Sequence, residues 1–146
     1  MDNLHKIIKS IFYNIIEYKE FKVLEKNDNS ILFFNNNCYL FIGQHMGETY
    51  VYISKEKNDN PIQPLMWAII NKKMNYRKVL PLNYSPEIKM EDLVKYRFCN
   101  EKILISLYCD ELLDGDFSNL PIYKDNLKKQ SAELYNYYND RYYNMK

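Results

Sequence analysis

The chain has 146 residues, 47% of them hydrophobic, enough for one domain (1–146) with its own core. Its 20 Lys and Arg stand against 19 Asp and Glu, and the resulting net charge of +1 argues against a bulk electrostatic hold on nucleic acid. With only 3 Gly and 5 Pro, a turn-rich sandwich or a glycine-loop nucleotide binder is disfavoured.

The 15 tyrosines, like the many Asn, Lys and Ile, have A/T-rich codons, so tyrosine number alone carries no functional argument. Cys38, Cys99 and Cys109 are odd in count and contain no C-x-x-C, so neither a disulfide framework nor a zinc site is expected. The N-terminus lacks the unbroken apolar region and cleavage site of a signal peptide, and no run approaches the roughly 18 apolar residues of a membrane span. These features predict a cytoplasmic protein with reduced thiols, no cofactor and no metal.

In chain order, Asp2 or Asn3 can cap a first helix whose stripe is Leu4, Ile7, Ile8, Ile11, Phe12, Ile15 and Ile16. Strand signals follow at Phe21–Lys26, Ile31–Phe34, Cys38–Ile42 and Thr49–Ser54. The turn clusters Asn27–Ser30 and Asn35–Asn37 and the connection Gly43–Gly47 separate them. Connections this short predict an antiparallel meander. The middle strands are apolar on both faces. One face is therefore expected under the first helix and the other under the long helix further on.

Pro64 fits the first turn of a short helix through Leu65, Met66, Trp67, Ile69 and Ile70. Ser85 before Pro86 can cap a long helix. Met90, Leu93, Val94, Ile103, Leu104, Leu107, Tyr108 and Leu112 recur at helical spacing, and Gly115 is the expected stop. A last helix then has Leu127, Leu134, Tyr138 and Tyr142 as its inner stripe. The fold class is α+β: an N-terminal helix, an antiparallel meander of about four strands and a C-terminal helical half.

Read as one helix up to Gly115, the long helix ends in Asp110, Glu111 and Asp114, with Asp116 just beyond. That is the wrong sign for a helix C-terminus, and Asp110 and Asp114 repel at a spacing of four. Charge that the fold does not call for points to a partner. The three carboxylates are expected to face solvent together, and their neutralisation to leave the fold intact. Tyr137, in the aromatic tail, is a further candidate contact because tyrosine is favoured at interfaces. Two other chemistries are open. Cys38 and His45 would make a small enzyme's nucleophile and base if they came within hydrogen-bond reach. Lys72, Lys73, Arg77 and Lys78, with Trp67 and Tyr76, interleave basic and aromatic residues as single-strand binders do.

The stretch LISLYCDELLDGDFSNLPIY, Leu104–Tyr123, resembles a pattern in small bacterial immunity proteins of polymorphic toxin systems. Their long helix ends in a leucine, an acid and Gly-Asp-Phe-Ser, here Leu112–Ser118, before a further helical segment. The order of leading helix, sheet and closing helices is similar to that group as well. The resemblance implies a binding protein, not an enzyme, that neutralises a cognate toxin stoichiometrically. For a nucleic-acid-cleaving toxin, acidic groups would face a basic site. Within the motif, Phe117 is a packing anchor and Asp116 or Ser118 a cap.

Overall fold

The computed structural model describes residues 3–75 and 87–130. The chain runs α1 (Leu4–Ile11), α2 (Tyr13–Tyr18), β1 (Lys22–Asn27), β2 (Ser30–Phe34), β3 (Tyr39–His45), β4 (Glu48–Ser54) and α3 (Pro64–Ile70). It continues with α4 (Met90–Tyr108), α5 (Asp110–Leu113) and α6 (Leu120–Lys129). The four strands form one antiparallel sheet in chain order, so the α+β reading with a meander is correct.

The hairpins follow from their turn residues. Asn27 Oδ1 accepts from the Asn29 N–H and the Ser30 hydroxyl, closing the first. Met46 and Gly47 both have positive φ (52° and 85°), as a two-residue type I′ turn requires. The connection predicted at Gly43–Gly47 is therefore shorter, and Gly43 lies within β3. Glycine is needed there, because a Cβ would come within 2.9 Å of Asn29 O and Ser30 Cβ.

The first helical segment is interrupted at Phe12, whose buried ring meets Phe98 of α4 edge to face at 5.8 Å. That contact places both helices on the same side of the sheet. Ile31, Ile42 and Val51 form one cross-strand row beneath them and Phe33, Leu40 and Ile53 the next. The expectation that α4 covers the opposite face is thus wrong. On that face lie Leu32, Phe41 and Tyr52, with Phe34 and Tyr39 beside them. These rings stack on each other across strands, Phe34 on Tyr39 at 4.5 Å and Phe41 on Tyr52 at 6.2 Å. Aromatic cross-strand pairs stabilise a sheet, and here they cover one another.

The long helix also differs from its predicted extent and facing. It stops at Tyr108, and Cys109 (φ −118°) separates it from α5. Its buried side is Val94, Arg97, Phe98, Asn100, Leu104 and Ile105, whereas Ile103 and Leu107 of the predicted stripe are exposed. Arg97 is the charged residue on this buried side. Its guanidinium donates to the Gly47 carbonyl at 2.5 Å, tying α4 to the β3–β4 turn. The predicted Ser85 cap and the stripe positions from Leu134 onward lie outside the described residues. Within α6 the buried side chain is Tyr123, tilted against Trp67 at 5.2 Å.

The stop at Gly115 is as predicted. Gly115 has φ +89°; its N–H donates to Leu112 O and the Asp116 N–H to Glu111 O, the paired bonds of a Schellman motif. A Cβ at Gly115 would also press on Asn37 Cβ at 3.3 Å. Gly115→Ala is expected to cost about 1 kcal/mol or more in urea unfolding. An unchanged unfolding midpoint would contradict this.

Candidate functional site

The acidic segment is built differently from its sequence reading. Asp110 and Glu111 begin α5 instead of ending the long helix. Near a helix start carboxylates are favourable, so Asp110 and Glu111 are no longer misplaced, while Asp114 remains at the C-terminal end of α5. Nor do the three acids point together. Asp110 and Asp114 turn to one side and hold the Lys19 ammonium at 2.8 and 2.9 Å. Glu111 turns to the other, accepting from Trp67 Nε1 at 3.1 Å and pairing with Lys72 at 2.7 Å.

Lys19 is the centre of the first group. Its side chain keeps 11% of its accessible surface, while those of Asp110 and Asp114 keep 68% and 57%. Burial pushes the Lys19 ammonium down, but the hydrogen bonds to Asp110 and Asp114 overrule it and hold its pKa above the ordinary lysine value. Two carboxylates against one ammonium leave a net charge of −1 on an exposed, fixed arrangement.

Asn35 fixes the backbone beneath this corner. Its Nδ2 donates to Lys19 O at 3.0 Å and Leu113 O at 3.1 Å. Its Oδ1 accepts from the N–H groups of Asn37 and Cys38 at 3.0 and 2.9 Å. The end of α2, the end of α5 and the β2–β3 turn therefore meet on one amide. Sequence reading had placed Asn35 only as a turn residue. Nothing in its local pattern marks partners 16 and 78 positions away.

The other predicted site residues are dispersed. Asp116 stays local: the Ser118 hydroxyl at 2.6 Å and its N–H at 3.0 Å donate to the carboxylate and hold it below the usual range. Tyr137 lies outside the described residues, as do Tyr76, Arg77 and Lys78. Trp67 is fully buried, so it cannot stack on a base, and Lys72 is engaged by Glu111. Cys38 and His45 do not meet. They sit at opposite ends of β3, roughly 23 Å apart at about 3.3 Å per residue. Cys38 is buried, and burial first, then the Asp114 carboxylate, pushes its thiol up to about 12. That is the reverse of an activated nucleophile. Among the described residues, no group of three or more His, Cys, Asp or Glu could hold a metal ion, and no helix is long and apolar enough to cross a membrane.

Two outcomes follow. Asp110→Asn with Asp114→Asn is expected to destabilise the fold by about 0.5–1 kcal/mol, because it takes both anionic partners from the Lys19 ammonium while the pairs stand partly in solvent. This replaces the expectation of an unperturbed fold; equal urea midpoints would contradict it. A lysine raised by its partners stabilises fully below 10.5, the unfolded value, so the wild-type advantage should persist at neutral pH and fade as alkaline pH passes the raised folded value. Secondly, a thiol reagent at neutral pH should modify Cys99, which is exposed, and reach Cys38 and Cys109 only in denaturant. Rapid native-state modification of Cys38 would overturn its assignment as a core residue.

Comparison of the chain with protein-family models, with curated proteins and with solved structures gives no match.

Proposed function

We propose that this chain binds a cognate bacterial toxin one to one and neutralises it, as an immunity protein does. The observation that carries the reading is the Lys19 corner. Two carboxylates stand mostly in solvent, yet each is held in place by the same partly buried lysine. Pre-positioned charge lowers the ordering cost of association and steers encounter with an oppositely charged surface. A toxin that cleaves nucleic acid presents such a surface. The resemblance over Leu104–Tyr123 supports the same role. In this reading the chain acts by binding, without a cofactor, in the reducing cytoplasm where its thiols stay free.

Neither alternative gains an observation. The enzyme reading needs Cys38 and His45 together, and the nucleic-acid reading needs Trp67 and Lys72 exposed and unengaged.

The test is stopped-flow association with the cognate toxin, once it is in hand, at low and high salt. The Asp110→Asn/Asp114→Asn variant should associate about fivefold or more slowly at low salt and lose much of its salt dependence. Equal rates with equal salt slopes would show that these carboxylates steer nothing.

A further inference from the structure

The face of the sheet away from the helices carries its own apolar row. Leu32, Phe41 and Tyr52 are cross-strand neighbours, and Glu25 of β1 stands at the end of the same row. None of the three apolar residues belongs to the core cluster under the helices. The segment that follows β4 folds back over them as a strap. Its base is closed by the Ile53–Ile62 backbone pair, and Lys57 reaches Glu25 at the opposite edge of the sheet. Three strand spacings separate Tyr52 from Glu25, roughly 14 Å at about 4.8 Å each. Asn58 and Asn60 turn the strap at positive φ (59° and 48°), which asparagine tolerates, and Lys124 of α6 donates to Asn60 Oδ1. Between strap and row lies a hollow of about 310 Å³, lined by Leu32, Phe41, Tyr52, Ser54, Asn58 and Pro61.

The lining says what fits. Phe41 and Tyr52 lie 6.2 Å apart and 30° from parallel, an aromatic wall on which a flat ring stacks. Ser54 is only 7% exposed, and among the described residues its hydroxyl has no hydrogen-bond partner. A hydroxyl so placed gains from a ligand that pairs with it. Asn58, exposed on the rim, adds an amide, so the two residues offer donors and acceptors together. No Asp, Glu, Lys, Arg or His lines the hollow, and Lys57 and Glu25 beside it neutralise each other. A phosphate or carboxylate would find no counter-charge there. The volume is at the small end of the roughly 300–1,000 Å³ of small-molecule sites, and the strap breaks up the face on which a protein surface would lie. We infer that the hollow binds a small, uncharged, planar heteroaromatic molecule of the nucleobase class. Its ring stacks on Phe41 and Tyr52, and its polar edge hydrogen-bonds to Ser54 and Asn58. The site does not include the Lys19 corner and holds whether or not the chain neutralises a toxin.

The experiment titrates adenine, cytosine and uracil into the full chain and follows the amide resonances of Leu32, Ser54 and Asn58 by NMR. At least one base is expected to shift them saturably, with a Kd of about 1 mM or tighter. Ser54→Ala/Asn58→Gly removes both polar partners, and glycine keeps the positive φ at 58. It should retain the wild-type melting temperature and bind that base at least tenfold more weakly. If the double variant melts lower, Asn58→Gly alone should still weaken binding at least threefold. Cyclohexanol, neutral but not planar, and benzoate, planar but charged, should leave these resonances in place. No shift with any base, equal binding by wild type and variant, or equal shifts with either control would overturn the assignment. Saturable binding of N-acetyltyrosinamide, with none of the bases, would make the hollow a socket for a partner's aromatic side chain and would overturn the small-molecule class as well.

Discussion

The corner of this molecule hangs on the side-chain amide of Asn35. Its two N–H groups and both lone pairs of its oxygen are all used, the full capacity of the group. The carbonyls it takes up are ones that helix ends leave over, Lys19 O after α2 and Leu113 O in the last turn of α5. An apolar residue at 35 would strand two buried acceptors and two turn donors at once. With the amide in place, the end of α2 is fixed against α5. Lys19 then lies between Asp110 and Asp114. The candidate corner therefore rests on backbone accounting.

The rest of the fold is arranged on one side of the sheet. Strands β2, β3 and β4 offer their buried apolar rows to the helices, and on the opposite face aromatic rings stack across strands. The exposed edge strand β1 is guarded differently. It carries Lys22, Glu25 and Lys26, and its register breaks between Val23 and Glu25, so Leu24 bulges. Charge and a bulge are both deterrents to pairing with another chain.

Much of the architecture was legible because it rests on local chemistry. Asn36 at φ 70° and Gly115 at φ 89° are turns that only a few residue types tolerate, and both were readable. Pro64 in the first turn of α3 was readable for the same reason. What failed was non-local. Periodicity marks which residues of α4 are apolar but not which side meets the sheet, so Ile103 and Leu107 are expected inside but are exposed, and the buried Arg97 is not foreseen. Arg97 is buried because the Gly47 carbonyl, 50 residues away, needs a donor. The break at Cys109 has no glycine or proline to announce it. Missing it turned a favourable helix start into an unfavourable helix end. The acids remain candidates for a different reason: two are exposed and fixed by Lys19, while Glu111 belongs to the packing of Trp67.

The central claim is the proposed one, that a partner protein docks against Asp110 and Asp114 where Lys19 holds them. Amide hydrogen exchange, with and without a candidate cognate toxin, tests it most directly. The account predicts slowed exchange within residues 14–19 and 105–114 when the toxin is added, and little change in β1–β3. Slowing confined to the strands, with the two helical segments unchanged, would contradict it.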